Sequence, residues 1–450
     1  MTITSVKKNS YFRIAADDAL FKDCFTKSPL AQNIAQKAGA MVAAVNTTLH
    51  GVASGSGATV FPEHYLNQEC YVKSQGAIRF KIVNPTGTFR IFFNSKKEDS
   101  KGAYSIYVLE VSASAATFLN YNNNNASSIL ATTLDSRALL ETDNTVNYWF
   151  SLDKKNKVLK YGKGEATEQL TLLAYKFPPN IAFLQDLAYI GTSLEQSFIS
   201  KVKFYELPVT FQLPPYVINN DVITLDDIEA GHITAIGNLP KECQQLYSVV
   251  AGNSVVLPDA VTIAIRKSLD NKGALYKKCV EKAQEHHSKL EETYLRVTLG
   301  MDSGYSPGIP FVLELWPKGH NSPIHQHSDA FAIIKVLHGT IHCNYYSDLN
   351  PKIHVPYLET DFSEKQVTYL TPYLYQTHML KNISQDFCAT IQCYRYSSDD
   401  RIHYEYFDFL NDQNKIDKFT PNTDYTYAGL KKVLQDEGLL AKKVKKQVSA

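Results

Sequence analysis

Between Val60 and Leu207 the apolar residues fall in short runs rich in β-branched and aromatic side chains, among them "AIRFKIV", "TFRIFF", "YSIYVLEV", "VNYWFSL" and "FISKVKFYEL". Polar turns separate these runs, and strands at such spacing predict an antiparallel β-sandwich. The asparagine-rich "NYNNNNASS" (Asn120 to Ser128) reads as an exposed loop between two of them. Ahead of this region, "LAQNIAQKAGAMVAAVNTTL" has the alanine content and apolar spacing of a helix, and "HGVASGSGATVFP" breaks it. Behind it, "LPVTFQLPPYV" ends the strand texture, and "DNKGALYKKCVEKAQEHHSKLEETYL" (Asp270 to Leu295) predicts a helical segment. Strand texture returns in "PFVLELW", "FAIIKVLHGTIHCNYY", "QVTYL", "ATIQCYRYS" and "IHYEYFDFL". The pattern predicts a mainly β protein: a helical segment and linker over 1–55, a sandwich over 56–210, a second β domain with a helical lead-in over 215–410, and a polar, lysine-rich tail over 411–450.

Composition narrows the setting. Two domains suit 450 residues better than one core. A net charge of +1 gives no electrostatic footprint for nucleic acid, so no nucleic-acid partner is expected. No run of about 18 apolar residues suggests a membrane partner, and the first residues lack the apolar stretch of a secretory signal. The seven cysteines are odd in number and lack a CxxC pair, which fits reduced thiols in a cytoplasm. A cytoplasmic location is the expectation.

Histidine placement carries the chemistry. Of 13 histidines, eight fall between His320 and His403, three of them in "GHNSPIHQH" (Gly319 to His327). On a strand, His325 and His327 point to one face, about 7 Å apart, close enough to share a metal. Gly319 and Pro323 let the chain turn into that strand, and His378 follows in "YQTHMLKN". The bland alternative is a polar turn with structural histidines. His320, His338, His342, His354 and His403 are read that way, Trp316 as a core residue, and Cys393 as a buried structural thiol.

This order resembles the two motifs of the cupin family, a small double-stranded β-barrel. Gly319, His325, His327 and Gly339 match the first motif; His378 and Asn382 match the second. The glutamate that usually follows the first two ligands is missing, with Phe331 and Ala332 at its candidate positions. Three neutral imidazoles leave a metal its full charge and about three open positions, which favours a substrate that brings its own anion, such as a thiolate. The segments "LELWPKGHNSPIHQH", "HMLKNISQ" and "YLR" (Tyr294 to Arg296) are similar to those of cysteine dioxygenases, across roughly Leu225 to Leu410. The resemblance implies an Fe(II) ion on His325, His327 and His378, with Arg296 and Tyr294 binding substrate and Tyr396 as the catalytic tyrosine. An arginine suits the substrate-binding role because its fork of donors matches a carboxylate. It implies a small thiol carboxylate, cysteine or 3-mercaptopropionate, and O2 as partners.

Two departures stand out. The cysteine that animal cysteine dioxygenases link to their tyrosine is Ala332 here, and their Ser-x-His is Gln392-Cys393-Tyr394. These keep a second reading open: a non-catalytic ligand- or partner-binding protein with a degenerate barrel. The first β region resembles the domain named after farnesoic acid O-methyltransferase, through Tyr148-Trp149-Phe150, a turn at Asp153 to Asn156, and Lys157 to Gly162. No glycine-rich methyl-donor loop is present, so methyl transfer is not expected. Two roles stay open for it: packing or oligomerisation, and recognition of a carbohydrate or protein ligand.

Overall fold

The computed structural model describes residues 62–97, 105–121, 127–142, 144–180, 187–209, 213–285, 288–299, 311–327, 330–396, 406–420 and 422–441. The helix expected within 1–55, His286, His287 and His403 lie outside them. From residue 61 onward the chain is one compact unit.

In its first part, two antiparallel sheets enclose an aromatic core. One runs in the order His64–Glu69, Tyr189–Thr192, Phe89–Asn94, Ile106–Val111, Ala116–Tyr121, Ser127–Thr133; the other runs Ile199–Tyr205, Gly76–Ile82, Asn147–Asp153, Val158–Lys163, Thr171–Lys176. Alternation along Asn147–Asp153 decides which aromatic goes where. Tyr148 and Phe150 face the core, where Tyr148 lies 5.2 Å from Phe89 and Phe150 lies 5.0 Å from Phe93, centroid to centroid. Trp149 points to the opposite face and is covered there by Ala77 and Val209. Gly162 makes room for that indole: a Cβ there would stand 2.2 Å from the Trp149 ring. The turn at Asp153 to Asn156 is closed by the Asp153 carboxylate, which accepts from Asn156 N at 2.8 Å. The asparagine-rich stretch joins two paired strands, Asn120 lying opposite Ser128.

The second part is a double-stranded β-barrel. Its eight-stranded sheet runs Thr234–Ala235, Val217–Ile218, Val367–Leu370, Phe331–His338, Cys388–Arg395, Phe311–Trp316, Leu295–Leu299, Tyr425–Thr426. Its six-stranded sheet runs Leu358–Ser363, Thr340–Tyr345, Thr377–Asn382, His325–Gln326, Phe407–Leu410, Ile416–Phe419. The protein is thus mainly β, a sandwich followed by a barrel with a helical lead-in. On Phe311–Trp316, Leu313 and Leu315 face outward onto the helices Asp259–Asp270, Ala274–Glu285 and Tyr427–Asp436. The intervening Glu314 therefore faces inward, toward the histidines.

One sequence expectation, the polar tail over 411–450, needs correction. Residues 411–420 and 422–441 are built into the barrel: Ile416–Phe419 pairs with Phe407–Leu410, and Leu430 and Leu434 are fully buried. Few apolar residues are needed there because the barrel's outer face supplies the rest of the core. Lys282, on the helix that sequence predicts over Asp270 to Leu295, is buried, and its Nζ donates to Tyr294 O and to Asp424, each at 2.8 Å. Trp316 is a core residue that also lines a cavity beside the histidines.

Lys335 is an outlier inside the apolar strand Phe331–His338. It is 3% exposed, and its Nζ reaches Gly252 O at 2.9 Å and Val255 O at 3.0 Å, just past the end of helix Lys241–Val250. A cation satisfies helix-end carbonyls and their dipole. Lys335→Met keeps the stem and removes the donors, so it should cost about 2 kcal/mol. Urea unfolding followed by circular dichroism reads this; an unchanged midpoint would show that these bonds contribute nothing net.

Candidate metal centre

Strand pairing brings the histidines together. His325 lies directly opposite His378 in an antiparallel pair, and His327 is two residues further along the first chain. All three are buried, and their candidate ligand atoms lie within 4.8 Å of one another. They form the one such cluster of histidine, cysteine or carboxylate side chains among the described residues.

Tautomers follow from the outer partners. His325 Nδ1 sits 3.0 Å from Pro323 O, and His378 Nδ1 sits 3.0 Å from Tyr375 O. A carbonyl only accepts, so each Nδ1 carries the proton and each Nε2 keeps a free lone pair. His327 Nε2 faces His378 Nε2 at 3.2 Å, while His327 Nδ1 is buried without a partner. Convergent acceptor nitrogens in a dry place are the arrangement that a bound cation resolves, so the three side chains fit a divalent metal. Burial first, then the neighbouring cations or imidazoles, pushes His325 down to about 3 and His327 well below its usual range; burial pushes His378 down to about 4. All three are therefore neutral at physiological pH, the form that binds metal.

Arg296 stands near this cluster, but it is already occupied. It lies opposite Glu314 in the pairing of Leu295–Leu299 with Phe311–Trp316, and its Nη1 is 3.3 Å from Glu314 Oε1. Both side chains are buried. Burial lifts the Glu314 carboxyl to about 7 against the pull of Arg296 and Lys282. Burial works against the Arg296 cation, but Glu314 together with Tyr294 and Tyr394 outweighs it, and the guanidinium stays charged. Gln392 donates to the other Glu314 oxygen, and Tyr394 OH donates to Gln392. The Tyr394 ring stacks on His327, with centroids 5.2 Å apart and planes at 23°. A hydrogen-bonded line thus runs from Arg296 to the tyrosine over His327.

Tyr294 stacks on Trp316 at 4.2 Å and lines the same space as Arg296. Tyr396 is partly buried against the barrel core beyond Tyr394 and lines neither cavity at this site. The tyrosine of Cys388–Arg395 that stacks on the histidine cluster is Tyr394, through His327. Sequence reasoning missed Glu314, and marked Gln392 and Tyr394 only as departures from the family's Ser-x-His. The available signal was parity: each is a polar-tipped side chain on an apolar strand at inward-facing positions. His320 is buried apart from the cluster, with Nδ1 2.7 Å from Thr293 O. Cys393 is buried, and burial pushes its thiol up to about 12.

Two cavities flank the cluster. The inner one, between Arg296, Glu314, Tyr394 and the histidines, measures about 10 Å³, room for about one water. The outer one measures about 470 Å³ and reaches His325. Tyr294, His325 and Phe407 line both and form the partition.

No family model matches the chain, and no curated protein matches it. Among solved structures it is similar to the cupin domain of Cnp3 from Schizosaccharomyces pombe, at 11% identity over 23% of this chain and 66% of that one, with a TM-score of 0.19. A cupin superfamily protein from Desulfitobacterium hafniense DCB-2 follows at 11% identity, 23% and 79% coverage, and a TM-score of 0.18. An oxalate oxidase follows at 14% identity, 20% and 42% coverage, and a TM-score of 0.17. The chain spans 66% of the length of the Cnp3 domain and 42% of the oxalate oxidase. Similarity at these scores carries no argument about activity. Among the described residues no helix is long and apolar enough to cross a membrane.

Proposed function

We propose that this protein is an Fe(II)-dependent thiol dioxygenase that converts a small thiol carboxylate, cysteine or a close relative, to its sulfinate. The observation that carries this reading is the convergence of three neutral imidazoles, His325, His327 and His378, with no carboxylate among the candidate ligands. Iron bound there would supply the chemistry RS⁻ + O2 → RSO2⁻, in which both oxygen atoms end on sulfur. The rest is the work of the chain. Pro323 O and Tyr375 O hold two imidazoles in the ligand tautomer. Trp316, Phe407 and the Tyr394 ring keep the space beside them dry. Substrate enters from the outer cavity between Tyr294 and Phe407, and its carboxylate meets Arg296.

Glu314 makes that last step competitive. A substrate carboxylate has to displace Glu314 from Arg296 or share it, which raises KM. Glu314→Gln removes the competing charge and keeps the shape. The expected result is a KM for cysteine lowered about tenfold with kcat within about twofold, since bound substrate and transition state gain the same contact with Arg296. Cysteamine, which has no carboxylate, should show no such drop. An equal change for both thiols would take the carboxylate away from Arg296.

Anaerobic reconstitution with ferrous iron, metal analysis, oxygen uptake on a thiol panel and mass spectrometry of the products test the whole reading. One iron per chain and a product heavier by two oxygen atoms support it; iron without oxygen uptake on any thiol removes the activity. The second reading, a non-catalytic ligand- or partner-binding protein, draws on the inner cavity's one-water size and on the Glu314–Arg296 pair. It predicts no iron after reconstitution, with the outer cavity or the sandwich taking a carbohydrate or protein ligand.

A further inference from the structure

We infer that Glu165, a sandwich residue, is a positioning residue for the metal centre, so that the sandwich is a working part of the site; this rests on the reading of the three histidines as metal ligands. Glu165 follows strand Val158–Lys163 and is 2% exposed. The chain enters the barrel there by a close backbone approach. Gly164 has φ +80°, and a Cβ on it would stand 2.4 Å from Ser347 O. Only glycine meets both conditions. Arg79 Nε holds Gly164 O at 3.1 Å, and Glu165 N donates to Ser347 O at 3.0 Å.

The carboxylate then closes on one turn of the barrel. Its Oε2 accepts from Tyr375 N at 2.7 Å and from Tyr357 OH at 3.0 Å; its Oε1 accepts from Gln376 N at 2.8 Å. Tyr375 has φ +64°, a conformation uncommon for a bulky residue, and two successive amides leaving such a residue form a natural seat for an anion. The carbonyl of that same Tyr375 receives Nδ1–H of His378. The side chain of Gln376 donates to Ala330 O at 2.8 Å, and Ala330 N donates to His327 O at 3.0 Å. One sandwich carboxylate therefore holds the turn that orients His378 and braces the segment carrying His327. Outer partners of this kind set ligand tautomer and aim, and their loss typically weakens metal binding about 10- to 100-fold.

The test uses the full chain and cobalt(II) as the probe, titrated by absorbance without substrate. Glu165→Ala should bind cobalt(II) at least about tenfold more weakly, with an altered visible spectrum. Glu165→Gln, which keeps an acceptor oxygen, should recover part of the loss. The control is Asn147→Ala on the same sandwich–barrel face, where Asp348 accepts from Asn147 N at 3.0 Å and from its Nδ2 at 2.8 Å. That variant loosens the contact without touching the Tyr375 turn, so its cobalt affinity should match the unsubstituted protein. Equal affinities for Glu165→Ala and the unsubstituted protein overturn the inference, as do equal losses in Glu165→Ala and Asn147→Ala. An unsubstituted protein that takes no cobalt sinks the metal reading instead. The brace is then read in the metal-free protein from histidine ¹⁵N shifts: the Nδ1–H form of His378 should give way to a mixture in Glu165→Ala, and an unchanged tautomer overturns the inference there too.

Discussion

Replacing His378 by alanine is expected to leave the protein folded and to abolish metal binding at the proposed iron site. Two of the three imidazoles would remain, and a ferrous ion held by two neutral nitrogens in a site without a carboxylate binds weakly. Losing a ligand outweighs losing an outer partner, so affinity should fall by more than about 100-fold and oxygen uptake should drop to background. The structural cost is modest. His378 makes one polar contact outside the cluster, to Tyr375 O, and truncation also relieves the facing Nε2 atoms of His327 and His378. About 1–2 kcal/mol for the vacated volume and the lost bond is the expected size. His320→Ala supplies the control. That histidine is also buried and comes from the stretch that carries His325 and His327, but its ring serves Thr293, through O and Oγ1, rather than the cluster. It should lower the unfolding midpoint without altering the iron-to-protein ratio. Full iron occupancy in His378→Ala, or an equal loss in both variants, would place the metal elsewhere.

The pair of variants also separates what sequence spacing conveys from what it does not. His325 and His327 were legible because strand parity forces i and i+2 to one face, and His378 because it recurs at a matched position in a second motif. The sandwich strands were legible for the same reason: Tyr148, Trp149 and Phe150 alternate in a way that only a strand between two covered faces can use. Glu314 was invisible as a partner of Arg296, since their adjacency comes from the register between Leu295–Leu299 and Phe311–Trp316, which spacing along the chain does not reveal. Tyr396 looked like the pocket tyrosine by position, yet the tyrosine over His327 is Tyr394. Glu165 could not be found at all from sequence, because 210 positions separate it from the turn it holds at Tyr375. The C-terminal strands Ile416–Phe419 and Tyr425–Thr426 were missed because they are short and largely exposed.

Asn382 shows how a matched motif residue can act on the fold rather than on the metal, and it yields the largest expected loss of stability. It is 1% exposed. Its Nδ2 donates to Trp316 O at 2.8 Å, Pro317 O at 3.0 Å and Asp386 O at 2.8 Å, while its Oδ1 accepts from Ser384 N at 2.8 Å. One amide thus ties the end of strand Phe311–Trp316, the turn leading to His325, and the tight turn after its own strand. Asn382→Ala leaves three carbonyls and an amide without this partner, and about 3–4 kcal/mol is the expected cost, from several unsatisfied groups at about 1 kcal/mol each or more. Asn382→Asp makes a sharper test. The shape is kept, but a carboxylate oxygen would face those carbonyl oxygens, so it should be at least as destabilising as alanine. Denaturant unfolding measures both. If the amide instead served the metal directly, aspartate would add a ligand charge, and metal would restore its stability selectively. The geometry predicts the reverse: added cobalt(II) should raise the midpoint of Asn382→Asp by no more than it raises that of the unsubstituted protein, because Asn382 acts on His325 only through the backbone it ties down.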